Sequence, residues 1–170
     1  AVDVSWASFA EGRPGAVHSE IPLEVARRDA RDTGTSLTVN ENPQGSAEDL
    51  EHAKNLLHAA KAPVILAGGG MRHNDLELRR LAEYLNAPVV LTTNARGLMH
   101  GHELVVPASP SLDAIRSLIE QADSVLALGT ELGRTDYDMY GHGQMPAMQN
   151  LIRVDLCAEQ LRRHQAEITV

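Results

Sequence analysis

Four short apolar runs, each closed by small or polar residues, set the rhythm of the chain: Pro63-Val-Ile-Leu-Ala-Gly-Gly-Gly70, Pro88-Val-Val-Leu-Thr-Thr-Asn-Ala-Arg-Gly97, Ser124-Val-Leu-Ala-Leu-Gly-Thr-Glu-Leu-Gly133 and Asn150-Leu-Ile-Arg-Val-Asp155. A run without polar alternation, bounded by Pro and Gly, reads as a strand buried on both faces. Helical spacing fills the gaps. Ser46-Ala-Glu-Asp49 opens a helix with Ser46 as N-cap, and Leu50, Ala53, Leu57 and Ala60 form its inward stripe. Asn74 or Asp75 caps a second helix with Leu78, Leu81, Ala82 and Leu85 inward, and Ser111 caps a third with Ile115, Leu118, Ile119 and Ala122 inward. A short helix over Ala158 to Arg163 and a last strand over Glu167 to Val170 complete the pattern. Alternating strand and helix predicts βαβ units, hence an α/β fold: a doubly wound, three-layer parallel sheet of Rossmann-like type.

The chain before Ser46 follows other rules. Val2, Trp6 and Phe9 make one apolar stripe at helical spacing, and they include the only Trp and Phe. Their bulk predicts packing either on their own domain or on a further one. Arg13 to Pro22 combines a Pro-Gly turn with a strand-like alternation of Val17 and Ile21. From Leu23 to Gly45 charges crowd together and then give way to Thr, Asn, Pro and Gly. A structureless stretch longer than about 15 residues is uncommon inside a domain, so 23–45 reads as a linker. The expected organisation is therefore 1–22 as the tail of a preceding domain, 23–45 as linker and 46–170 as one domain, cut short at its C-terminal end.

Composition narrows the chemistry. Hydrophobic residues make up 43% and charged residues 22% of the 170, and no apolar run approaches the ~20 residues of a membrane span. The chain opens without Met or the regions of a signal peptide and reads as a piece of a longer protein. A net charge of −8, with Lys and Arg scattered, opposes nucleic-acid binding. The single cysteine, Cys157, cannot form an internal disulfide and fits a cytoplasmic location, as a partly buried inert thiol or a reactive one.

With those stretches laid out, the chain resembles the thiamine-diphosphate-dependent enzymes of the acetolactate synthase and 2-oxoacid decarboxylase type. The likeness lies in Arg13-Pro-Gly-Ala-Val-His-Ser-Glu-Ile-Pro22, Ala62 to Gly70, Ala87 to Gly97 and Ala122 to Gly133, in that order and spacing. It implies the central domain of a three-domain enzyme, with 1–22 the tail of the pyrimidine-binding domain. Thiamine diphosphate and Mg would be bound outside this chain, by the flanking pyrimidine- and diphosphate-binding domains. The resemblance places the catalytic glutamate and the Gly-Asp-Gly motif outside it too, so no catalytic residue and no metal ligand is expected here, and the chain alone should be inert. It further implies a dimer or tetramer and decarboxylation of a 2-oxoacid; Asp136-Tyr-Asp-Met-Tyr140 is similar to relatives acting on longer or basic 2-oxoacids.

Some relatives carry FAD or ADP on this domain, across the carboxyl ends of the strands. The matching positions are Gly68, Gly69, Gly70, Thr93, Asn94, Gly129, Thr130, Asp155 and Leu156. Glycine N–H groups can cradle a diphosphate, Asp155 can accept from a ribose or an adenine amine, and Arg96 or Arg134 can neutralise phosphate charge. The same glycines also read as tight strand-to-helix turns in a purely structural, assembly module. A further alternative is an NAD-binding domain of an oxidoreductase, although Gly68-Gly-Gly-Met-Arg-His73 lacks the third glycine of that fingerprint and no acid ends the next strand. His100, His102 and His142 read as solvated loop residues without the partners a metal site needs. Asp136 and Asp138 read either as an acid pair for proton transfer or as loop caps.

Overall fold

The computed structural model describes Ser5, Trp6, Phe9 and residues 15–29 and 42–170. The chain divides into two units, Ala1–Pro43 and Gln44–Val170.

In the first unit Ser5, Trp6 and Phe9 are helical, while Val2 lies outside the described residues. Trp6 is 54% and Phe9 51% exposed. The strand expected over 13–22 is absent from its described part: residues 15–22 carry no regular structure, because no second strand among the described residues of this unit offers a ladder. Leu23–Ala26, expected as linker, forms one helical turn (α1) in which the Pro22 carbonyl accepts from the Val25 and Ala26 N–H groups.

The second unit is a sheet of six parallel strands: β1 (Pro63–Ala67), β2 (Val89–Leu91), β3 (Val105–Val106), β4 (Ser124–Leu128), β5 (Leu151–Val154) and β6 (Ile168–Thr169), in the order β3-β2-β1-β4-β5-β6. Side chains alternate across it. Ile65, Ala67, Leu126 and Leu128 join one core with α2 (Ala47–Ala59) and α3 (Asp75–Leu85), while Val64, Leu66, Val125 and Ala127 join the other with α4 (Asp113–Gln121). All residues of β1 and β4 are buried, which accounts for their unbroken apolar sequences. Each fully buried Leu, Ile or Val contributes about 1.5–3 kcal/mol. Two short helices, α5 (Met139–His142) and α6 (Ala158–Leu161), follow β4 and β5. Among the described residues no helix is long and apolar enough to cross a membrane.

Local expectations hold with instructive exceptions. Ser46 caps α2, its Oγ accepting from the Asp49 N–H at 3.0 Å. Leu50, expected inward, is 52% exposed, and Leu56 takes its place against the core. Asn74 caps α3 without a side-chain bond, and the other candidate, Asp75, is engaged elsewhere: its carboxylate accepts from Arg79 Nε at 2.7 Å and from the Met99 N–H. Leu112, not Ser111, is the N-cap of α4. β3 was not anticipated at all, since two valines before Pro107 are too short a run to register as a strand.

Candidate functional site

The order of the strands reverses between β1 and β4, and in open α/β sheets ligands bind in the crevice outside the carboxyl ends at such a point. Every predicted binding position lies along this edge. Gly68 to Gly70 follow β1 and enter the 3-10 turn Gly69–Met71; Thr93 and Asn94 lie in the 3-10 turn Thr93–Ala95 after β2; Gly129 and Thr130 follow β4; Asp155 and Leu156 follow β5.

At the switch point itself the two strand ends touch. The Gly68 N–H donates to the Leu128 carbonyl at 2.9 Å, the Gly70 N–H to the Gly129 carbonyl at 3.0 Å, and the Gly129 N–H to the Val154 carbonyl at 2.9 Å. Three of the N–H groups expected to cradle a diphosphate are thus spent inside the sheet. Gly129 has φ +55°, and a Cβ on it would sit 2.8 Å from Gly70 Cα; a Cβ on Gly68 would overlap the Gly129 carbonyl oxygen. The glycines permit close approach, and what approaches is backbone.

Of the remaining positions, Asn94 is exposed, while Thr93, Thr130 and Asp155 are bound to their surroundings. The Thr93 N–H donates to Asp136 Oδ1 at 3.1 Å. Thr130 is buried, its hydroxyl accepting from the Leu132 N–H and its carbonyl from Arg153 Nη2 at 3.2 Å. Asp155 Oδ1 accepts from the Cys157 N–H at 2.9 Å, an Asx turn, while Leu156 is exposed and Cys157 half-buried. Arg96 and Arg134 are exposed.

Charges of both signs line the edge: Arg72, Arg96 and Arg134 are exposed after β1, β2 and β4, and acids open the helices. The first turn of α2 carries Glu48 and Asp49, that of α3 Asp75 and Glu77, and that of α4 Asp113. Acids there satisfy the positive helix ends that a phosphate would otherwise use. Hydrogen bonds from Arg79 and the Met99 N–H hold the Asp75 carboxyl below its ordinary value of 3.8.

Asp136 and Asp138 are not paired for proton transfer. Asp136 holds the turn after β2, and Asp138 caps α5, its Oδ1 accepting from the Gly141 N–H at 3.2 Å. His100 is exposed in a turn, as expected. His102, expected to be solvated, is largely buried, with Nε2 3.0 Å from Glu83 Oε1 and Nδ1 accepting from the Leu104 N–H at 3.2 Å. His142 Nε2 lies 3.3 Å from Asp113 Oδ1. Among the described residues no three of His, Cys, Asp and Glu come together as metal ligands. This donor set does not fit a thiamine diphosphate or its metal.

Sequence reasoning missed three buried polar residues. Arg153, on β5, donates through Nη1 to the Gln160 carbonyl at 2.6 Å and through Nη2 to that of Thr130. Arg116, on α4, donates to the Tyr137 carbonyl at 2.6 Å and the Gln144 carbonyl at 2.9 Å. Tyr137 is fully buried with its hydroxyl unpartnered; burial and then the charge of Asp136 drive its phenol pKa up, against the opposing influence of Thr130 and Arg153. An Arg within a strand pattern and another on an apolar helix face were the available signals.

The fingerprint of a dinucleotide site is not reproduced either, because a 3-10 turn separates β1 from α3 and Leu91 of β2 is followed by Thr92 and Thr93 rather than an acid. Residues 50–170 match the family described as the thiamine pyrophosphate enzyme central domain. The chain is 32% identical over 162 residues to a probable 2-ketoarginine decarboxylase of Pseudomonas aeruginosa, covering 89% of this chain and 27% of that protein. It is 32% identical over 130 residues to an acetolactate synthase of Mycobacterium bovis, covering 71% of this chain and 21% of the synthase. To a sulfoacetaldehyde acetyltransferase of Castellaniella defragrans it is 36% identical over 130 residues, covering 69% and 21%. It thus spans between a fifth and about a quarter of the length of these relatives. With six parallel strands and three of the four resembling motifs inside the matched stretch, the chain belongs to the thiamine pyrophosphate enzyme family, as a central domain.

Proposed function

We propose that this domain is a non-catalytic scaffold in a thiamine-diphosphate-dependent enzyme that decarboxylates a 2-oxoacid. In this reading it positions the parts of the enzyme that hold the cofactor and Mg, within a homo-oligomer of the cytoplasm. The observation that carries the scaffold role is the backbone contact of Gly68 and Gly70 with Gly129, which engages the N–H groups of all three glycines within the sheet. The acids at the helix starts act in the same direction, since they already occupy the positive helix ends that a phosphate would use. Decarboxylation is favoured because, of the three relatives named, the 2-ketoarginine decarboxylase is matched over the largest share of the chain.

The test is an assay of carbon dioxide release from 2-oxoacids, a basic one among them, by the intact enzyme supplied with thiamine diphosphate and Mg. The intact enzyme is expected to turn over and the 170-residue chain to release none. Turnover by the 170-residue chain, or an intact enzyme inert toward every 2-oxoacid, would overturn the reading.

A further inference from the structure

The connection that leaves β4 begins as Gly129-Thr-Glu-Leu-Gly133, and it holds Leu132 in a backbone conformation that its side chain disfavours. Leu132 has φ +53°, in the left-handed region where a Cβ crowds the backbone, and it is 2% exposed. A bulky residue stays there only when its surroundings hold it. Here the side chain joins the core that contains Ile115, Val125 and Tyr137, and the N–H donates to Thr130 Oγ1 at 3.2 Å, closing a Ser/Thr turn. Asn86, Asp138 and Asn150 also have positive φ, but they are of types that tolerate it. Met99 does not, and its N–H is taken by the Asp75 carboxylate, a stronger acceptor than a hydroxyl. Leu132 is the more weakly held of the two.

A second fault lies five residues on. The Tyr137 hydroxyl is buried and makes no hydrogen bond, although Thr130 stands beside it. A buried hydroxyl without a partner destabilises the arrangement that leaves it so. Both faults have one remedy. Turning over the 131–132 peptide brings Leu132 to negative φ and swings its N–H off Thr130 Oγ1, which frees that oxygen to accept from the Tyr137 hydroxyl. Gly133 can absorb the change in the backbone that follows.

The posts on either side are fixed. Arg153 Nη2 donates to the Thr130 carbonyl at 3.2 Å, Arg116 Nη1 to the Tyr137 carbonyl at 2.6 Å, and the Met139 N–H to the Arg134 carbonyl at 2.9 Å. Only residues 131–133 lie between the first post and the last of these bonds. We propose that this segment is a two-state turn in which Leu132 and Tyr137 compete for the Thr130 hydroxyl, giving the carboxyl edge beside the switch point a moving part while the sheet stays rigid. Both states exist whether or not that edge binds a nucleotide, so the turn stands or falls separately from the scaffold reading.

The experiment is hydrogen exchange of the intact enzyme, read by mass spectrometry in peptides covering residues 129–138 and, as controls, β1 and β5. Exchange of a locally opening amide reports the population of the open form. Leu132→Ile keeps the apolar volume but is β-branched, and it should speed exchange of the turn about tenfold or more. Tyr137→Phe removes the rival claimant and should slow exchange of the turn about fivefold or more, which a merely structural tyrosine would not do. Exchange in β1 and β5 should not change in either variant. Tyr137→Phe leaving the turn unchanged or faster overturns the proposal, even if Leu132→Ile fails to fold. So does exchange that rises in the strands together with the turn, because the opening would then be global.

Discussion

Gly68 packs on Gly129 and Thr130, and Gly129 on Gly70, so closely that neither leaves room for a methyl group, and the two faults differ in kind. At Gly68 the obstacle is the carbonyl oxygen and backbone of the neighbouring strand end; at Gly129 a positive φ adds to the crowding. Gly97, with φ +99° and nothing within 4 Å, provides the comparison. Gly97→Ala should cost about 1 kcal/mol through backbone conformation alone. Gly68→Ala should cost about 2–4 kcal/mol, because the sheet must open to admit it. Equal denaturation midpoints for the two variants would show that the strand ends do not touch. His164 offers a test at the same scale. Burial, then the charge of Arg153, lowers its pKa below 6.5, so the unfolded chain takes up the proton more readily than the folded one. Stability should be full above about pH 6.5 and decline as the pH falls below it, and His164→Gln should flatten that decline in urea titrations at stepped pH.

Between β4 and β5 the chain travels from Gly129 to Asn150 with only one short helix of its own, and two buried arginines keep it in place. Arg116 takes the carbonyls of Tyr137 and Gln144, and Arg153 takes that of Thr130. Buried carbonyls left without donors cost about 1–3 kcal/mol each, so the connection depends on these side chains. Arg116→Met should therefore speed proteolytic nicking within 133–146 several-fold while the strands stay protected; unchanged cleavage would show that Arg116 is not what holds the loop. This is also where sequence and structure part. The runs that became β1, β2, β4 and β5 were legible because strands buried on both faces leave no polar residue to blur them. Ser46 was legible as a cap because its role is local. Arg116 and Arg153 were not, since their partners are carbonyls up to 28 positions away that no periodicity records. β3 was too short, and the inward stripe of α2 shifted from Leu50 to Leu56.

At the scale of the whole molecule, the positions nominated for a nucleotide were legible as strand ends, and the structure assembles them along one edge. What the residues could not reveal is that glycines able to cradle a phosphate would instead meet each other across the switch point. The same three residues serve either purpose, and only the separation of β1 and β4 distinguishes them. Under the scaffold reading proposed above, the domain would contribute shape and surfaces to an enzyme whose chemistry lies elsewhere. The most direct measurement is a thermal-shift titration of the 170-residue chain with FAD, ADP and thiamine diphosphate, each alone. A ligand that binds the folded state raises its stability as the logarithm of concentration over Kd, about 2.7 kcal/mol at a hundredfold excess over Kd. A scaffold with a closed switch point should show no saturable rise with any of the three; a saturable rise with FAD or ADP would mean that the strand ends part to admit a nucleotide and that the domain is a binding module after all.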